Sequence, residues 1–283
     1  MFRNTPLLKQ VKGLTINAPN ATEIKCNSVF QGSGLTDYSN INLPLNAEMN
    51  KIFIDSSLTS IESIPNYKEV IRTAINLGDA FRNSQIESVP DLVIDNSPTL
   101  SSIFYQCSKL KEVGNITGNA NITSISDIFR GCPKLEHISK ISLPNVNGSG
   151  SYVYARLLLD SGTQNTSGKI IIDHLNFGNI LSLRKEQAKK EVYDNMFGFG
   201  GSGSLSSTVE INFQCDIGTV IEYTNLFSNS VSLPDVETLN SFADHALTLD
   251  SAYTLKVSKN IYSLFTSEIL AKLSAKNWTI ASA

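Results

Sequence analysis

The chain has 283 residues, 41% of them apolar, with a net charge of −3 and a pI near 5.7. That is enough for one large domain or two ordinary ones and for a hydrophobic core, without the basic balance that nucleic acid demands. No Lys/Arg run exceeds two residues, the opening "MFRNTPLLKQVKG" lacks an uninterrupted apolar stretch, and "RLLLD" and "KIIID" are far too short for a bilayer, so no nucleic-acid role, Sec signal or membrane insertion is expected.

Taken in chain order, the chain repeats itself. Phe2, Phe30, Phe53, Phe81, Phe104, Phe129, Phe197 and Phe227 are 23 to 30 residues apart, except for one gap between Phe129 and Phe197. One residue earlier stand Met1, Val29, Ile52, Ala80, Ile103, Ile128, Met196 and Leu226, and four earlier Cys26, Met49, Leu77, Leu100, Ile125, Tyr193 and Tyr223. Apolar positions three and four apart predict a short helix running into each Phe. Two residues after the Phe come Asn4, Gly32, Asp55, Asn83, Gln106, Gly131, Phe199 and Asn229, mostly types that tolerate a left-handed terminus. Next is a column of small side chains, Thr5, Ser33, Ser56, Ser84, Cys107, Cys132, Gly200 and Ser230.

Each copy continues with a Leu/Ile-x-x-apolar step, such as Leu35 with Tyr38, Leu58 with Ile61, Leu110 with Val113, Leu135 with Ile138 and Leu233 with Val236. Three residues on lie Leu14, Ile41, Ile64, Leu92, Ile116, Ile141 and Leu239, several followed at period two by Ile16, Leu43, Ile94 or Leu143. That alternation predicts a short half-buried strand. A unit of strand, turn, short helix and turn cannot bury its apolar side alone, so copies must stack into a curved α/β solenoid with a parallel sheet.

The chain divides into regular repeats over 1–146, an irregular insertion over 147–195, degenerate repeats over 196–260 and a C-terminal cap over 261–283. In the insertion, Leu158 ("LLLDSG") mirrors Phe53 ("IFIDSS"), "KIIIDHLNF" reads as a strand, and "LRKEQAKKEVYD" as a longer exposed helix. Such excursions often form binding surfaces, which makes 147–195 the expected contact region. A helix from about Ser267 to Lys276, stopping near Asn277, should let Trp278 and Ile280 cover the last copy. The chain begins directly at the Phe column, so its N-terminal end is expected to dock on a partner, a second copy or an upstream domain.

Chemistry-bearing residues read as filler. Cys26 falls in the −4 column, Cys107 and Cys132 in the small column, and Cys215 alternates with Ile211, Phe213 and Ile217. Free cysteine behaves as a small hydrophobe, and the register of Cys107 and Cys132 permits a disulfide without requiring one. His137, His174 and His245 are far apart, without zinc-type spacing. Gly198, Gly200 and Gly203 match G-x-G-x-x-G but precede a strand, the reverse of a dinucleotide site. No catalytic, cofactor-binding or metal-ligating residues are expected.

"IFYQCSKLKEV" and "IFRGCPKL" resemble the MF-x-x-C-x-x-L core of the Bacteroides surface protein (BspA-like, Treponema-type) leucine-rich repeat. "SEILAKLSAKNWTIA" is similar to the helix-plus-KGWT cap of such arrays. The resemblance covers residues 1 to 146, 196 to 240 and about 261 to 281. It implies a leucine-rich-repeat solenoid with short parallel strands, short helices and a helix-plus-strand cap, serving adhesion, host recognition or virion structure rather than catalysis. The expected partners are other virion proteins or a second copy through the N-terminal end, and a host-surface protein or glycan. The expected setting is a phage particle, with the ectodomain of a bacterial surface adhesin as the alternative.

Overall fold

The computed structural model describes residues 2–16, 22–147, 153, 156–178, 208–217 and 234–282. The columns drawn through Phe197 and Phe227, the glycines at 198, 200 and 203, and the helix expected over "LRKEQAKKEVYD" lie outside the described residues. The fold is mixed α/β, with parallel strands and a few short helices. Its early strands are β1 (Leu14–Thr15), β2 (Ile24–Lys25), β3 (Ile41–Asn42) and β4 (Ala47–Glu48), paired β1 to β3 and β2 to β4. A 3-10 turn (Ile61–Ser63) and α1 (Tyr67–Thr73) follow, where the third copy would otherwise supply a strand. Then come β5 (Ser88–Val89), β6 (Leu92–Val93), β7 (Glu112–Thr117), β8 (His137–Ser142), β9 (Lys169–Asn176) and β10 (Thr208–Phe213). These six form one parallel sheet in the order β10, β9, β8, β7, β5, with β6 also on β7. Each copy therefore pairs with the next copy in sequence.

Among the described residues, the segment entering each Phe is not a helix. Around Phe104, alternate N–H groups leave the copy: those of Leu100, Ser102, Phe104 and Gln106 donate to the carbonyls of Ser124, Ser126, Ile128 and Arg130 at 2.8 to 3.1 Å. The intervening Ile103, Tyr105 and Cys107 donate three residues back, to Leu100, Ser102 and Phe104. The result is a ribbon of overlapping turns. A helix would direct every N–H to a carbonyl four residues back, which a left-handed residue prevents. Such residues occur at two places per copy. Asn4, Gly32, Asp55, Asn83, Gln106 and Gly131 have positive φ after the Phe, as their types suggested. Ser28, Lys51, Asp79, Ser102 and Asp127 have positive φ two residues before the Phe, and Arg156 two before Leu158, where only the two Asp are types that favour it. The helix expectation fails because apolar residues at −4, −1 and 0 share one face in either geometry.

The ribbon carries the core. Rings of Phe2, Phe30, Phe53, Phe81, Phe104 and Phe129 stack in sequence with centroids 5.5 to 5.8 Å apart and planes within 12°, inside the range of favourable aromatic pairs. The register runs on into the insertion: Phe129 N–H donates to Leu157 O (3.1 Å), just as Phe53 N–H donates to Ala80 O (2.8 Å). Leu158, fully buried, thus occupies the Phe position. In the second copy Tyr38 stands edge-on to Phe30 and Phe53. Its hydroxyl lies 3.0 Å from Ser33 Oγ, and burial pushes its pKa up to about 12 against the pull of Ser33 and Ser56.

The sheet ends differently from the degenerate repeat that the sequence suggests for 196–260. Val236 and Leu239 belong to α2 (Val236–His245), capped by Asp235, whose side chain accepts from Thr238 N–H at 2.9 Å. This helix lies along β10 in place of another strand. Ile211 N–H donates to Thr238 Oγ1 and Phe213 N–H to Ser241 Oγ, each at 2.8 Å. Beyond it, β11 (Tyr253–Val257), α3 (Lys259–Tyr262), α4 (Ser267–Ser274) and β12 (Trp278–Ser282) complete the chain, with β11 parallel to β12. Asn277 has positive φ between α4 and β12, where the sequence places the stop. Trp278 packs edge-on against Phe242 and Tyr253 and donates from Nε1 to Leu247 O at 2.7 Å.

Candidate functional site

Because Val113, Ile116, Ile138, Ile141, Ile170, Ile172, Leu175, Val209 and Ile211 turn inward, the intervening residues of β7 to β10 form one polar outer face. Registration sets its rows. Glu112, His137, Ile171 and Glu210 lie in line across four strands, Asn115 lies opposite Lys140, and Thr117, Ser142 and Asn176 form a third row.

Two basic side chains link strands on this face, each set between carboxylates of neighbouring elements. His137 on β8 places Nδ1 3.2 Å from Glu112 Oε2 on β7 and Nε2 2.9 Å from Asp173 Oδ2 on β9. Partial burial lowers the His137 pKa, but the hydrogen bonds and charges of Asp173 and Glu112 outweigh that and leave it raised. Lys169 on β9 bridges Glu210 on β10 and Asp235 at the start of α2, the latter at 2.7 Å. Its pKa is likewise raised, burial being outweighed by Asp235 and Glu210. Nothing in the sequence spacing pairs His137 with a carboxylate, because Glu112 and Asp173 stand 25 and 36 residues away. The repeat register offered the one available signal, since it sets Glu112 opposite His137.

The opposite, ribbon surface is closed on itself. The guanidiniums of Arg82 and Arg130 flank the Tyr105 ring at 4.7 and 5.4 Å. Asp79 holds Arg82 at 3.3 Å, Asp127 holds Arg130 at 3.2 Å and Arg156 at 2.8 Å, and Asp160 lies 3.9 Å from Arg130, three carboxylates for three guanidiniums. These cations are neutralised by their own acids and do not make an anion site.

The thiols occupy structural positions. Cys107 Sγ donates to Phe81 O at 3.2 Å and Cys132 Sγ to Phe104 O at 3.1 Å, the bond that Ser161 Oγ makes to Phe129 O. Cys26, Cys107, Cys132 and Cys215 are all free and buried. Burial raises the Cys107 pKa to about 11, holds Cys132 well above its ordinary value, and raises Cys26 and Cys215. A thiol kept protonated is a poor nucleophile. His245 ends α2 with its Nδ1 3.0 Å from Ser241 O on the same helix. His174 lies on β9, exposed beside Asp173.

Between β10 and α2 runs an open groove of about 300 Å³ lined by Glu210, Asn212, Glu237, Asn240, Asp244 and His245. Among the described residues, no group of three His, Cys, Asp or Glu side chains is placed to hold a metal ion, and no helix is long and apolar enough to cross a membrane. Of the expected contact region 147–195, residues 156–178 are described in full and contribute Leu158 and β9. No protein-family model, curated protein or solved structure matches the chain.

Proposed function

We propose that this chain is a non-enzymatic recognition scaffold: a BspA-like leucine-rich-repeat solenoid built into a phage particle as a tail-fibre, baseplate or head-decoration component. Its outer sheet face, from β7 to β10, meets a protein or glycan of the host surface. The observation that carries this reading is the unbroken stack of copies from Phe2 to Leu158, because stacked copies yield an extended, preorganised face. The depth of the thiols and the pairing of the cations favour binding over catalysis. A face rich in Asn, Ser, Thr, Asp and Glu suits a polar partner held by hydrogen bonds.

The purified chain should bind host cells saturably and compete with adsorption of particles that carry it. Replacing Asn115, Lys140 and Asn176 together by Ala should abolish the competition while leaving the fold intact. Full competition by that variant would overturn the assignment of the face. Location of the chain on a bacterial envelope, rather than on a particle, would transfer the same face to a surface adhesin.

A further inference from the structure

Both ring nitrogens of His137 face carboxylate oxygens, at 3.2 Å to Glu112 and 2.9 Å to Asp173. Ionised carboxylates only accept hydrogen bonds, and a neutral imidazole has a single N–H to give. Both contacts can be hydrogen bonds at once only if the ring carries two protons. A neutral ring would set a nitrogen lone pair against a carboxylate oxygen on one side.

We propose that His137 is a proton-operated clasp, which as an imidazolium ties β7 to β9 across β8 and on losing its proton lets go of one of them. The charged surroundings come from each packed element. Strand β7 presents Glu112, preceded by Lys111; β8 adds Lys140 and is preceded by Glu136; β9 adds Asp173, Lys169 and His174; and β10 adds Glu210 beyond Ile171. Lys169 is committed to Glu210 and Asp235, and Glu136 to Thr166 at 2.8 Å. Glu112 and Asp173 therefore remain the acceptors that decide the behaviour of the ring.

The raised pKa of His137 agrees in sign with this geometry. A group whose folded-state value exceeds its unfolded one stabilises fully below the unfolded value, ordinarily 6.5, and loses that contribution as pH rises through the folded value. Acidification thus tightens β7 to β9, and alkalinisation loosens them and removes one positive charge from the outer face. The Lys169 bridge has the same form, but its ammonium stays charged across this range. The sheet is therefore pH-sensitive on one side of β9 and indifferent on the other. This holds whichever partner the face meets.

The test is an NMR titration of the full chain from about pH 5 to about pH 9, spanning the imidazole range. The His137 resonances are assigned by their loss in His137→Gln, and amide protection is corrected for intrinsic exchange. His137 should titrate above 6.5, with imidazolium-type nitrogen shifts while charged, and Asp173→Asn should move its midpoint down. Protection over Glu112–Thr117 and His137–Ser142 should fall as that midpoint is passed, that over Val209–Phe213 should not, and His137→Gln should flatten the response. Titration at or below 6.5, a midpoint indifferent to Asp173→Asn, or an undiminished protection change in His137→Gln would overturn the proposal.

Discussion

The two sides of each copy obey different rules. On the ribbon side the same kinds of residue return at the same places: a stacked Phe, a small donor, a left-handed residue before and after. On the sheet side only the inward aliphatics return, while Glu112, His137, Ile171 and Glu210 share one row without sharing a chemistry. The difference follows from what each side touches. Rings in contact with both neighbours must match in size and tilt, whereas outward strand residues meet water and are free to diverge. The ring stack restricts residue type on one side, and the outward strand positions leave it open on the other.

The contrast is best broken at the rings. Phe104→Ala should cost roughly 3 to 5 kcal/mol, seen as a large drop in the denaturation midpoint, because Phe104 is fully buried between Phe81 and Phe129. An unchanged midpoint would end the idea of a continuous stack. Next comes Gly118→Ala: φ is +146° there, and an added Cβ would lie 2.0 Å from Ile94 O. Forcing the preceding copy back should cost about 2 kcal/mol or more, as overpacking against a fixed neighbour does. Thr238→Val should cost about 1 to 3 kcal/mol, since the Ile211 N–H and Val209 O would both lose the hydroxyl they use. Smallest is Cys107→Ser, expected to shift stability by less than about 1 kcal/mol, because Ser161 already makes the equivalent bond. A larger loss would mean that the small-donor column is not interchangeable.

These two rules also explain what could be read from the sequence. The Phe, small and Leu-x-x-apolar columns were legible because burial in a shared core restricts side-chain size at a fixed spacing. The left-handed position after the Phe was legible in Gly, Asn and Asp, but the one before it was hidden because four of its six occupants are Ser28, Lys51, Ser102 and Arg156, types that rarely adopt it. The turn ribbon was mistaken for helix because the two share their apolar spacing. Val236 and Leu239 fitted the repeat and yet belong to α2, whose N-terminal cap at Asp235 was the overlooked sign. The bridge at His137 escaped because each partner comes from a different copy, on a face where the repeat imposes no residue type.

The way α2 meets β10 has a consequence for solubility. A strand at the rim of a parallel sheet ordinarily offers a row of unspent amide hydrogens, on which a foreign strand can template itself. Here the hydroxyls of Thr238 and Ser241 occupy those hydrogens at Ile211 and Phe213. Backbone bonds at either end of the helix, Asp235 N–H to Val209 O and Ile217 N–H to His245 O, close the rest of the rim, so polymerisation through it would first require peeling a ten-residue helix and its buried Leu239 and Phe242 away from the sheet.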